Sequence, residues 1–198
     1  MNLPNKLTIF RILLVPIMII VALFNIPGEV AGVPTTMIIL DIIFIIASIT
    51  DKLDGYIARK WNQVTTFGKF LDPIADKVLV ITAMIILVEL GKMPAWIPSI
   101  VVFREFVVSG YRLIAVENGG KVIAASIWGK LKTVTQMIAI IVAFIDTNSF
   151  GAIFKGSLTG ISLAINTVTT VMLIVSVIAT IFSGWDYIKN GKDLLKDN

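Results

Sequence analysis

Six long apolar runs, near residues 7–25, 34–57, 71–90, 95–116, 131–147 and 161–187, limit what this chain can fold into more than any other feature. A helix needs about 20 mainly apolar residues to cross the hydrocarbon of a bilayer, and it satisfies its own backbone donors and acceptors on the way. With 57% hydrophobic residues, the chain lacks the polar surface a water-soluble domain would need. The expected fold is therefore an all-α integral membrane protein, a bundle of six transmembrane helices. No internal repeat or polar linker divides it, so residues 1–198 read as a single domain. The first run has no small-residue cleavage site and is followed by further runs, so it is expected to be a span and not a signal peptide. The opening "MNLPNKLTIFR" carries a Pro-Asn breaker with Lys6 and Arg11, which suits a short N-terminal interfacial segment at headgroup level.

Charge then orients the bundle. With both termini in the cytoplasm, Lys6, Arg11, Lys52, Arg59, Lys60, Lys69, Lys77, Arg112, Lys121, Lys130, Lys132, Lys189, Lys192 and Lys196 gather on or near that side, leaving Lys92 and Lys155 outside. The Pro- and Gly-rich stretches "NIPGEVAGVP" and "GKMPAWIP" read as external turns, with Trp96 at an interfacial belt position. "GSLTG" reads as a turn or packing site, and "KNGKDLLKDN" as a solvated tail. A net charge of +4 gives no case for a nucleic-acid partner. Cysteine and histidine are both absent, which excludes thiolate nucleophiles, disulfides, soft metal sites and an imidazole base. Chemistry must run on carboxylates, cations and hydroxyls.

Four aspartates stand against that apolar background. Asp51 and Asp54 are three residues apart at the inner end of the second run, and Asp72 and Asp76 four apart at the start of the third. Each pair shares a helix face, and the short polar connection lets the two faces meet at the cytoplasmic edge. Like charges about 4 Å apart repel by roughly 4 kcal/mol at an effective dielectric near 20, so a converging cluster needs cations or protonation. Oxygen ligands favour hard Mg²⁺, Mn²⁺ or Ca²⁺, and two divalent cations about 3.5–4 Å apart would balance four carboxylates as a diphosphate holder. The competing reading pairs the aspartates with Lys52, Arg59, Lys69 and Lys77 as interfacial charges. A carboxylate-lined cation transporter is a further alternative, although its charges should reach the bilayer centre or recur in inverted halves.

The segment resembles the signature of the CDP-alcohol phosphotransferase family, Asp-x2-Asp-Gly-x2-Ala-Arg-x8-Gly-x3-Asp-x3-Asp. Asp51, Asp54, Gly55, Ala58, Arg59, Gly68, Asp72 and Asp76 fill every fixed position. "PNKLTIFR", "FREFVVSGYRL" and "WGKLKT" extend the likeness towards the bacterial branch that makes phosphatidylglycerophosphate, while the last run is generic. The resemblance implies transfer of a phosphatidyl group from CDP-diacylglycerol to glycerol 3-phosphate, with CMP released. It implies two divalent cations, Mg²⁺ or Mn²⁺, one held by Asp51, Asp54 and Asp72 and the other by Asp51, Asp72 and Asp76. Asp76 would also be the general base that takes the proton of the attacking hydroxyl. A homodimer in the lipid bilayer is implied as well.

By the same resemblance Asn5, Thr8, Gly55, Ala58, Arg59, Thr65 and Gly68 contact the CDP-diacylglycerol donor. Glycine would admit nucleotide or backbone, and Arg59 would bridge diphosphate oxygens or anchor at the interface. Arg104, Arg112, Lys130 and Lys132 are the candidates for the acceptor phosphate. An ionisable residue such as Arg104, near the middle of a span, is costly enough to be a functional suspect, unless it pairs with Glu105 or Asp41. Asp41 lies about three turns deeper than Asp51, too far to join the metals, and is expected to make a structural hydrogen bond. The signature constrains the CDP donor and leaves inositol phosphate, serine or phosphatidylglycerol as alternative acceptors.

Overall fold

The computed structural model describes residues 2–61, 65–117 and 127–190. Six α-helices account for nearly all of them: α1 Leu3–Phe24, α2 Thr35–Lys60, α3 Thr66–Glu89, α4 Trp96–Glu117, α5 Ile127–Ile145 and α6 Gly160–Asn190. Each matches one of the six apolar runs to within a few residues. By length and composition, α1, α5 and residues Gly160–Lys189 of α6 are suited to cross a membrane. Helices α2, α3 and α4 are of spanning length, at 26, 24 and 22 residues, but carry charges within it. Leu23, Phe24, Phe103 and Phe106 are all more than 70% exposed, a surface suited to lipid and not to water.

The chain divides into two compact units, Met1–Met93 with Ile140–Ser149, and Pro94–Ala139 with Phe150–Asn198. In the first, α1 packs against both α2 and α3, and Met18, Met37, Leu40, Phe44, Ala47, Leu79 and Leu87 form its core. Asn2 caps α1 by accepting the Asn5 N–H at 3.3 Å, and Pro4 sits in the first turn, where its missing donor costs nothing. The opening residues are thus the first turns of α1 itself. Lys6 is exposed there, but Arg11, expected among headgroups, is wholly buried in protein. The "NIPGEVAGVP" turn is a small hairpin of β1 Glu29–Val30 and β2 Val33–Pro34. Its two-residue loop, Ala31 and Gly32, has positive φ at both positions, matching the twist of the strands it joins. At the same unit's α3–α4 turn, Lys92 Nζ donates to the Thr147 carbonyl at 2.5 Å.

In the second unit α4 packs on α6. Trp96 meets Phe150 edge-to-face at 6.1 Å, and Trp128 stacks on Phe182 at 4.9 Å. A 3₁₀ turn at Ala152–Lys155 is bracketed by Gly151 and Gly156, and both have left-handed backbones, as does Gly160. "GSLTG" is therefore a turn whose glycines are required by φ. Lys121, Lys192, Lys196 and most of the expected tail lie outside the described residues.

Candidate active site

Three helices of the first unit deliver polar side chains to one place. Asp51 and Asp54 come from the last turns of α2 and Asp72 from the second turn of α3. Together with Lys52, Gly55, Tyr56 and Arg59 they line a cavity of about 520 Å³. Asp54 is buried and Asp51 half-exposed. Asp76 is half-buried one turn along α3 from Asp72 and is not among these lining residues. Pro73, between them, leaves one helical carbonyl without its usual donor, yet α3 continues through it.

The first helix supplies the connections. The Thr8 hydroxyl donates to Asp72 Oδ1 at 2.7 Å and lies 3.4 Å from Asp54 Oδ2, so one side chain of α1 touches a carboxylate of each acidic pair. Asn5 accepts from the Thr65 hydroxyl at 2.9 Å, and Thr65 caps α3 by accepting the Gly68 N–H at 3.0 Å. Gly68 is where this approach is tightest. A Cβ there would stand 3.1 Å from Asn5 Oδ1, 3.2 Å from Thr65 Oγ1 and 3.8 Å from Asp72 Oδ2. Gly55 plays a similar part on α2, for the exposed Arg59 guanidinium folds back to within 3.5 Å of where its Cβ would be. Ala58, half-buried, follows one turn after Asp54. Of the residues expected around the donor, Thr8, Gly55, Arg59 and Gly68 thus adjoin the aspartates, and Asn5 and Thr65 bond to each other beside Gly68.

Arg11 was not among the expected site residues, yet it contacts two of the aspartates, Asp51 and Asp54. Its guanidinium is fully buried, with Nη1 2.6 Å from Asp51 Oδ1 and Nη2 in contact with Asp54 Oδ2. Asn5, Thr8 and Arg11 recur every third residue, so they share a face of α1, and that spacing was the available signal. Among the described residues no three carboxylates are arranged as a ready metal cage. The donor set still suits a hard cation: three aspartates, all oxygen donors, line one cavity, and the protein already places a positive charge against two of them. Asp41, by contrast, is buried, and its Oδ1 has no hydrogen-bond partner among the described residues.

The four candidate acceptor cations lie in the second unit. Arg104 donates to Glu105 Oε1 at 2.9 Å and to the Ser183 hydroxyl, and Lys132 contacts the same Glu105 oxygen. Of the two local partners weighed for Arg104, Glu105 is the one it takes. Arg112 donates to the Tyr187 hydroxyl at 2.7 Å, and both arginines lie over the Tyr187 ring, 5.8 and 5.5 Å from its centre. Arg104, Arg112 and Lys132 therefore form one network around Glu105 and Tyr187, while Lys130 is exposed. Tyr187, only 2% exposed, belongs to the run that looked generic, and no local pattern distinguishes it.

A family model described as CDP-alcohol phosphatidyltransferase matches residues 1–185. A Bacillus subtilis protein is 42% identical over 98% of this chain and 97% of its own length, and one from Haemophilus influenzae is 39% identical over 100% and 97%. A Rickettsia typhi protein is 36% identical over 95% of this chain and 96% of its own. All three carry the name CDP-diacylglycerol–glycerol-3-phosphate 3-phosphatidyltransferase. With Asp51, Asp54, Gly55, Arg59 and Asp72 of its signature lining one cavity and the family model covering nearly its whole length, this chain belongs to the CDP-alcohol phosphatidyltransferase family.

Proposed function

We propose that this protein transfers the phosphatidyl group of CDP-diacylglycerol to glycerol 3-phosphate, producing phosphatidylglycerophosphate and CMP for phospholipid synthesis in a bacterial plasma membrane. The observation that carries the reading is the single cavity lined by Asp51, Asp54 and Asp72, each also tied to α1 through Thr8 or Arg11. The names of the full-length relatives supply the acceptor.

In this reading Asp51, Asp54, Asp72 and Asp76 hold two divalent cations, Mg²⁺ or Mn²⁺. Bound there, the cations would supply the positive charge that neutralises the diphosphate and the departing CMP. The chain's own residues do the rest. Asp76 takes the proton of the glycerol hydroxyl as it attacks phosphorus, since that hydroxyl is a poor nucleophile at neutral pH. Asn5, Thr8, Gly55, Ala58, Arg59, Thr65 and Gly68 surround the donor headgroup, and the fork of Arg59 is suited to paired phosphate oxygens. Arg104, Arg112, Lys130 and Lys132 bind the acceptor's phosphate, with Glu105 and Tyr187 setting the pose of three of them. The chain forms one membrane domain with six spans, both termini and the catalytic cavity facing the cytoplasm, as the distribution of cations favours. A homodimer is the assembly the family resemblance implies.

The test is product identification by mass spectrometry with purified protein in detergent, supplying CDP-diacylglycerol and Mg²⁺ or Mn²⁺ and leaving out one alcohol at a time. CMP release should require glycerol 3-phosphate and should stop on exhaustive chelation. Release that instead depends on inositol phosphate, serine or phosphatidylglycerol would reassign the acceptor, and turnover in chelator would remove the cations from the mechanism.

A further inference from the structure

Arg11 raises a question the transfer reaction does not answer. A fully buried guanidinium is costly unless its charge is matched and its five N–H donors are occupied. The charge is matched by Asp51 and Asp54, but the donors are not. Among the described residues, Nη2 alone makes an aligned hydrogen bond, to Asp54; Nη1 approaches Asp51 at 2.6 Å without hydrogen-bond alignment, and Nε has no partner. A side chain serving only to clamp α1 to α2 would be expected to engage a carboxylate with both prongs. This one is instead divided between two carboxylates that the transfer reaction needs for another purpose.

We propose that Arg11 is a built-in counter-cation for Asp51 and Asp54, holding the pair in place when no divalent ion is bound and competing with such an ion for the same oxygens. The inference rests on the reading above that these aspartates hold divalent cations. Three features support competition over simple support. Its nitrogens contact Asp51 Oδ1 and Asp54 Oδ2, carboxylate oxygens of two residues that line the shared cavity. Arginine cannot shed its proton in a protein, so its charge can leave these oxygens only by moving. Among the described residues its Nε and Nη1 make no aligned hydrogen bond, so those two donors give none up when an ion takes over the carboxylates. The device would offset the repulsion between two like charges on successive turns of α2 before an ion arrives, at the expense of a weaker hold on that ion.

Arg11→Gln and Arg11→Lys, purified alongside the unaltered protein, test this through binding of Mn²⁺ alone, with free ion counted by electron paramagnetic resonance, and through thermal unfolding in chelator. Competition predicts opposite signs. Arg11→Gln should unfold at lower temperature in chelator yet bind Mn²⁺ on the order of tenfold more tightly or better, because a full positive charge has left the site. Arg11→Lys, whose ammonium reaches one carboxylate at a time, should fall between the two in both measurements. If Arg11 merely supports the cluster, Gln should loosen it and weaken Mn²⁺ binding. Weakened or unchanged affinity in Arg11→Gln would overturn the proposal. Should that variant fail to fold, affinity in Arg11→Lys at or below that of the unaltered protein would do the same. Failure of the unaltered protein itself to bind Mn²⁺ would count against the cation reading that underlies both.

Discussion

Replacing Gly68 by alanine separates crowding at the site from damage to the fold. Gly68 lies in the first turn of α3 with ordinary helical φ, so a methyl group meets no backbone strain. It does meet the site. At 3.1 Å from Asn5 Oδ1 and 3.2 Å from Thr65 Oγ1, the new carbon forces at least one of them to give by a few tenths of an ångström. Asn5 is 8% exposed and bonded to Thr65, which itself caps α3, so the displacement disturbs both contacts. Weakening a side-chain hydrogen bond costs about 1 kcal/mol, and a degraded cap up to about 1 kcal/mol more. Alanine returns up to about 1 kcal/mol through its better helix propensity. Stability should therefore change by no more than about 1 kcal/mol, a shift of a few degrees in Tm. Turnover is more sensitive, because Asn5 and Thr8 share a face of α1, and movement there is passed to Asp72. A displaced catalytic constellation loses up to about 100-fold in rate for an error near 1 Å, so a shift of a few tenths of an ångström should cost about 3- to 10-fold in Gly68→Ala. CMP release and thermal unfolding of the same detergent-purified sample would be compared. Unchanged turnover, or a rate loss that merely tracks a large drop in Tm, would refute the idea that Gly68 is there to let α1 reach the acidic cluster.

Asp76→Asn should retain binding of CDP-diacylglycerol while turnover falls to background, as general-base assistance alone is worth about 100- to 10,000-fold; wild-type-like turnover would remove Asp76 from that role. Tyr187→Phe keeps the ring beneath Arg104 and Arg112 but deletes the hydroxyl that accepts from Arg112. It should raise the KM for glycerol 3-phosphate several-fold, in the direction of Arg112→Ala, and leave the KM for CDP-diacylglycerol unchanged. A change confined to the nucleotide-lipid KM would show that the network around Tyr187 does not serve the acceptor.

The sequence alone determined most of the fold's inventory and the identity of the acidic cluster. Helix formation and hydrophobic length are local properties, so six apolar runs correspond to six helices, and Asn2, Thr65, Gly32 and Gly151 mark caps and turns by chemistry that acts over a few residues. The spacing of Asp51 with Asp54, and of Asp72 with Asp76, likewise places each pair on one helix face without help from the rest of the chain. What the sequence could not decide is which charge neutralises which. Lys52 and Arg59 are near the aspartates along the chain, yet among the described residues the ion pairs of Asp51 and Asp54 are made by Arg11, forty residues or more away. Arg11 looked like a headgroup anchor because an isolated basic residue near a helix start usually is one. Only the packing of α1 against α2 and α3 removed it from solvent and set it between two carboxylates. Tyr187 makes the same point from the other side: its hydroxyl matters because α6 packs on α4, bringing it to Arg112 across a sequence separation of 75 residues that no local pattern could bridge.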